Sequence, residues 1–211
     1  MKIVVLSSSP RRDGNSHLLA ESLVEGAQEA GHEAGVVELN DVMSGLLRDC
    51  RACRRPDGCC SIDDGYARLI HESVVPADAL VYATPLYWYG MAAALKNYFD
   101  RMVCYVSASY PRSAEVVDGM VGKRAALLIT AEESYRTATA AVVGQLHEMS
   151  RYLRQDLVAV VSGVGNRRGE VRRDPSDPVG AARDLGRRLF DVHHTDYTVL
   201  TERPRAVWAE A

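Results

Sequence analysis

Several things are missing from this chain of 211 residues, and each absence removes a class of function. No apolar run approaches the roughly 18 residues that cross a bilayer, so no membrane span is expected. Lys2 is followed by only four apolar residues before the serines begin, which is not the pattern of an apolar leader. Charge of one sign is also lacking. Lys and Arg number 25 against 28 Asp and Glu, and the formal net charge of -3 offers no general attraction to nucleic acid or an anionic membrane. Cysteine is sparse and odd in number, five in all, which favours a reducing cytoplasm over a disulfide framework. Neither G-x-x-x-x-G-K-[ST] nor G-x-G-x-x-G occurs, so a bound phosphate would be a monophosphate rather than a triphosphate or a dinucleotide pyrophosphate.

What is present is a repeated strand–loop–helix rhythm. Residues 3–6, 36–39, 79–83, 124–130 and 157–164 form short apolar runs that read as strands. Helices are expected over 18–30, 64–73, 91–103, 135–154 and 179–190, the first carrying Leu19, Leu23 and Ala27 on one face and ending at Gly31. Asp63-Asp64 suits the start of the second helix, where carboxylates meet the positive end of the dipole. Nearly continuous apolar strands alternating with helices predict an α/β, doubly wound, five-stranded parallel sheet covered on both faces. The expected order is 2-1-3-4-5, with a crevice between strands 1 and 3. One domain over 1–190 is expected, followed by a tail, 191–211, in which no motif is legible.

Two loops fall at that crevice. Ser7-Ser8-Ser9-Pro10-Arg11-Arg12-Asp13-Gly14-Asn15-Ser16 joins the first strand to the first helix. Such a joint aims free backbone N–H groups, hydroxyls and the helix dipole at one point, as a phosphate site requires. An ordinary Ser- or Asn-capped turn would satisfy the same pattern. The other loop is Thr84-Pro85-Leu86-Tyr87-Trp88-Tyr89-Gly90-Met91, with three consecutive aromatics in a chain that is only 7% aromatic. Aromatics in a loop suit a flat ligand or a partner surface, although packing is the alternative.

Ser9-Pro10-Arg11 with Gly14-Asn15-Ser16, Thr84-Pro85-Leu86-Tyr87-Trp88, and Lys96-Asn97-Tyr98-Phe99-Asp100-Arg101 together resemble the flavodoxin-like NAD(P)H-dependent FMN reductase family. The branch nearest in appearance is the iron–sulfur flavoprotein type, and the likeness covers most of residues 1–165. Family members usually open the phosphate loop with Gly-Ser-Pro-Arg, and here Ser8 stands in place of that Gly. The resemblance implies FMN and NAD(P)H as cofactors. The FMN phosphate would lie on Ser9, Arg11, Asn15 and Ser16. The flavin ring would lie against Pro85, Leu86, Tyr87, Trp88, Tyr89 and Gly90, with Ala131 and Glu132 approaching from the other side. The implied activity is an NAD(P)H oxidoreductase that passes electrons to a flavin, quinone or other small aromatic acceptor, with no catalytic acid or base assigned. A flavodoxin-type electron carrier, or a reductase of one aromatic metabolite, are the alternatives. A homodimer or homotetramer is implied as well, with the unassigned segment 104–117 as a cover for the crevice or a neighbour.

The segment Cys50-Arg51-Ala52-Cys53-Arg54-Arg55-Pro56-Asp57-Gly58-Cys59-Cys60 departs from the cluster-binding pattern, because Pro56 stands where a third Cys of a Cys-x2-Cys-x2-Cys run would fall. Structural thiols, a metal or cluster, and a redox-active pair made reactive by the neighbouring arginines are the readings; no metal is predicted. Cys104 is expected simply to pack after a helix. His193-His194 has no companion ligand at metal spacing and reads as surface. The run Arg167-Arg168-Gly169-Glu170-Val171-Arg172-Arg173 reads as a solvated loop, or as a seat for the 2′-phosphate of NADPH.

Overall fold

In β1 (Lys2–Ser7), Ile3, Val4, Val5 and Leu6 are all buried, so both faces of this strand must be covered. The computed structural model, which describes residues 1–135 and 137–192 and only the backbone of Arg51 and Cys53, shows how. On one face, Ile3, Val5, Val81 and Leu128 pack against Leu19, Leu23 and Ala27 of α1 (Asn15–Glu29) and against Ala182 and Leu185 of the last helix. On the other, Val4, Leu6, Leu80, Tyr82 and Leu127 pack against the remaining helices. The sheet continues with β2 (Glu33–Glu38), followed by the short α2 (Leu39–Val42) and α3 (Cys50–Cys53), then α4 (Tyr66–Arg68), which runs into a π-helical turn, Leu69–Val74. Next come β3 (Ala79–Tyr87), β4 (Gly90–Met91), α5 (Ala93–Val106) and α6 (Ser113–Met120). The chain closes with β5 (Arg124–Ala131), α7 (Ala140–Leu153), β6 (Asp156–Val164), a 3-10 turn (Glu170–Arg173) and α8 (Pro178–Arg188).

The five parallel strands lie in the order β2-β1-β3-β5-β6, the expected 2-1-3-4-5 once the short β4, antiparallel to β3, is set aside. That sixth strand is the first difference from expectation. β3 does not stop at residue 83 but runs to Tyr87, and Pro85 sits within it, paired with Thr130 of β5. The ladder with β1 has already ended at Ser7–Ala83, so at Pro85 the strand has a neighbour on one side only, where proline is tolerated.

Helix bounds shift for local reasons. α1 starts at Asn15 rather than 18, because Gly14 is extended and its carbonyl already accepts the Leu18 N–H at 3.0 Å. It closes as expected near Gly31, whose N–H bonds Gln28 O while His32 N–H bonds Ala27 O. α7 begins at Ala140 instead of 135, which leaves residues 132–135 and 137–139 outside the helix. Cys104 lies inside α5, not after it, and residues 113–120 form α6 with Val116 and Met120 buried. The segment 104–117 thus runs from the end of α5 through a turn at 107–112 into α6, buries Cys104, Tyr105, Tyr110 and Val116, and does not line the crevice. Asp64 precedes α4 and accepts the Tyr66 N–H at 3.1 Å, but its larger role is a buried ion pair with Arg101 at 2.6 Å. Most of the tail, including His193-His194, lies outside the described residues.

Candidate active site at the strand ends

The C-terminal ends of β1, β3, β5 and β6 open on one cavity of about 710 Å³. Its walls include Ser9, Arg11, Gly14, Asn15 and Ser16 from the β1–α1 loop and Pro85, Leu86, Tyr87, Trp88 and Tyr89 from the β3–β4 hairpin. Thr130, Ala131, Glu132 and Glu133 from the end of β5, with Gly165, Asn166 and Arg168 beyond β6, complete it. Eleven of the twelve residues singled out in the sequence thus share one cavity. Gly90 does not line it, because it pairs with Tyr87 to close the hairpin.

At the head of α1 most side chains are occupied in shaping the loop. Ser9 Oγ donates to Arg11 O at 2.8 Å and accepts the Arg11 N–H at 3.2 Å. Asn15 donates to Gly165 O at 2.9 Å and accepts the Val171 N–H at 3.2 Å, so both ends of its amide hold the β6 loop. Ser16 Oγ meets Thr130 Oγ1 at 2.7 Å in a buried contact. Asn40 donates to the carbonyls of Ser8 and Ser9 at 3.3 and 3.2 Å. Ser8, in the position of the family's Gly, is buried and donates both N–H and hydroxyl to Ala83 O, at 2.9 and 3.0 Å, tying β1 to β3.

What remains free is positive. No side chain caps α1, so the N–H groups of its first turn have no intrahelical partner. Arg12 pairs with Asp41, and Arg168 with Asp13 at 2.9 Å, whereas the Arg11 guanidinium has no partner among the described residues. Gly165 lets the loop beyond β6 pack closely on the head of α1: a Cβ there would lie 2.7 Å from Val171 N and 2.9 Å from the Asn15 side-chain nitrogen.

The opposite end is aromatic and acidic. Trp88 and Tyr89 form the two-residue tip between the paired Tyr87 and Gly90, and both adopt left-handed backbone, φ 49° and 57°. A tip of that kind is normally Asn-Gly, because bulky side chains are strained there. Trp88 is 97% exposed and Tyr89 half-exposed. The Tyr135 phenol, hydrogen-bonded to Tyr89, and the Glu133 carboxylate push the Tyr89 phenol up. Glu132 accepts from the Asn166 side chain at 2.9 Å. Thr130, Gly165, Asn166 and Asn40 went unnoticed in the sequence, since nothing local marks a residue whose partner lies 31 to 150 positions away.

A family profile described as a flavodoxin-like fold matches residues 1–175. The chain belongs to this flavodoxin-like family. The flavodoxin-like chain is 27% identical over 187 residues to YwqN of Bacillus subtilis (strain 168), whose name describes, by inference, an NAD(P)H-dependent FMN-containing oxidoreductase. That alignment covers 89% of this chain and 98% of the relative. An iron-sulfur flavoprotein of Methanosarcina thermophila is 36% identical over 103 residues, 49% of this chain and 53% of its own. Likeness to that branch therefore spans about half of each molecule. Among solved structures, the NAD(P)H:quinone oxidoreductase of Methanothermobacter marburgensis superposes with a TM-score of 0.64 at 23% identity, covering 92% of this chain and 99% of its own. It shares the fold. Among the described residues no group of three or more His, Cys, Asp or Glu is placed to hold a metal ion, and no helix is long and apolar enough to cross a membrane.

Proposed function

We propose that this protein is an FMN-dependent NAD(P)H oxidoreductase that delivers electrons to a small aromatic acceptor such as a flavin or quinone. The observation that carries this reading is the polarity of a single cavity. One end has the uncapped start of α1 and the unpaired Arg11; the other has the flat wall of Pro85 to Tyr89 beside Ala131 and Glu132. The group fits: a monophosphate suits the first end and a planar ring the second, in a volume ordinary for a cofactor site. When bound, FMN would take electrons from a reduced nicotinamide and release them to the acceptor. The protein's part is to bind and orient. Arg11 and the first-turn N–H groups of α1 hold the phosphate. Pro85 and Leu86 support the ring, and exposed Trp88 and Tyr89 offer a stacking surface at the mouth. The assembly is a homodimer or homotetramer. Its contact face is the apolar groove of about 700 Å³ between α5 and α7, lined by Met102, Val103, Val106, Met149 and Tyr152. Charged pairs of both signs, Lys96–Asp100 and Arg151–Glu148, flank it, as a self-complementary twofold contact requires. The free thiols of Cys50, Cys59, Cys60 and Cys104 support a reducing compartment such as the cytoplasm.

The test is the visible absorption spectrum of the FMN-loaded protein, kept anaerobic, before and after NADPH or NADH. Bleaching of the flavin bands, with recovery on adding a quinone, is expected. If both nicotinamides leave the flavin oxidised over minutes, the reductase reading fails and an electron carrier takes its place.

A further inference from the structure

The cysteine segment is not used by the crevice. It folds back along α5, held there by three contacts. Leu47 N–H bonds Asn97 Oδ1 at 3.0 Å, Asn97 donates to Gly45 O at 2.9 Å, and Asp64 forms two hydrogen bonds with Arg101, at 2.6 and 2.7 Å. This brings Cys50, Cys59 and Cys60 against the same core that buries Cys104. Cys50 packs against the cluster that holds Cys104, and its nearness is one of the causes that push the Cys104 thiol up. Arg54 spans the pair. It shares a cavity wall with Cys50, and its guanidinium donates to Cys104 O at 3.3 Å and reaches Ser109 Oγ. In front of them lies a second cavity of about 660 Å³, whose wall includes Cys50, Arg54, Arg55, Ser107 and Ser109. It shares no lining residue with the FMN crevice.

We propose that Cys50 and Cys104 form a redox-active dithiol, and that the Arg54–Arg55 cavity presents Cys50 to low-molecular-weight disulfides bearing carboxylates. The two sulfurs have distinct surroundings. Burial, with Cys50 alongside, pushes the Cys104 thiol up to about 12, so Cys104 stays protonated until the mixed disulfide has formed. Cys50 is at the cavity wall, beside a guanidinium that can balance charge on its sulfur as it attacks. Cys59 is less suited, because burial and the Asp57 carboxylate push its thiol up. The chemistry balances without the flavin. Cys50, giving up its proton, attacks one sulfur of the disulfide; a mixed disulfide forms and the first small thiol leaves. Cys104 then gives up its proton and attacks the Cys50 sulfur, forming the internal disulfide and releasing the second small thiol. The protein loses two electrons and two protons, and the small disulfide gains both. Arg54 and Arg55 supply the charge that selects an acidic disulfide over a neutral one.

The experiment uses the whole chain, reduced and then freed of reductant, with glutathione disulfide as the probe. Release of two glutathiones per chain, and a Cys50–Cys104 cross-linked peptide in an unreduced digest, are expected. Cys104→Ala should stop halfway, with one glutathione released and one retained on Cys50. Arg54→Met should slow the reaction with glutathione disulfide about tenfold more than it slows the reaction with uncharged hydroxyethyl disulfide, and equal slowing of the two would remove the charge selection. The wild-type digest needs no variant to fold. Cys50 and Cys104 both still open to alkylation after excess glutathione disulfide, or a cross-link confined to other cysteines, would overturn the proposal. Neither readout involves FMN, so the dithiol and the flavin reading can fail separately.

Discussion

The Arg11 side chain differs from its neighbours in having no partner among the described residues. Ser9, Asn15 and Ser16 direct their side chains to Arg11, Gly165, Val171 and Thr130, so on the proposed reading they would fix the loop while Arg11 would hold the phosphate. Arg11→Ala is therefore expected to weaken FMN binding about ten- to a hundredfold by calorimetric titration, the size of one lost charge-assisted contact. The melting temperature should not change, since the side chain is exposed. An unchanged affinity would remove the phosphate site from this loop. That Ser9, Arg11, Gly14, Asn15 and Ser16 would line one crevice was legible in the sequence, but which of their side chains are tied down inside the protein was not. It depends on Thr130, Gly165 and Val171, and no local pattern links them to positions 15 and 16.

Among elements, the β3–β4 hairpin and the staple on α5 set opposite limits on stability. The hairpin tip holds Trp88 and Tyr89 at φ 49° and 57°, at roughly 1–2 kcal/mol per residue. Trp88→Asn with Tyr89→Gly should relieve that strain and raise the melting temperature by about 4–8 °C. The same double change should raise KM for an aromatic acceptor, and a fall in melting temperature would show the tip to be unstrained. The staple is the Asp64–Arg101 pair, with Asp64 4% exposed. Burial alone would push the Asp64 carboxyl up. The Arg101 guanidinium and the N–H groups of Gly45 and Tyr66 outweigh burial and hold it down at about 2. Because the folded value lies below the unfolded one, near 3.9, this stabilisation is fully present above pH ~4 and is lost as pH falls toward 2, about 2 kcal/mol in all. Asp64→Asn should flatten that limb of the urea-measured stability profile. It should also cost about 3 kcal/mol at neutral pH, because Arg101 is left buried without its counter-charge. An unaltered acid limb would exclude the staple as its source. Apolar periodicity made the strands and long helices visible. The short α2 and α3, and the extension of β3 through Pro85, were hidden because tertiary pairing overrides the local signals of Pro and polar residues there.

At the scale of the whole molecule, the open groove between α5 and α7 is the feature a lone chain leaves unexplained. Tyr152→Glu, which puts charge on a residue 70% exposed at its rim, should convert the assembly to monomer by light scattering. A wild-type monomer at working concentrations would end the oligomer reading. The overall architecture was readable because five apolar runs alternate with helices. The crevice was readable because its loops follow strands 1 and 3, whereas the wall beyond β6 was not, being glycine, asparagine and arginine in an ordinary turn. That wall also has a consequence in time. The hydrogen bonds that fasten the head of α1 reach across 114 positions to Thr130 and 156 to Val171. At translation rates, roughly six to thirty seconds separate the emergence of the two ends. The loop made first cannot be held in its final shape until the ends of β5 and β6 have followed it. A ribosome-bound chain stopped at β5 would carry every residue of the phosphate loop and yet lack a fastened one.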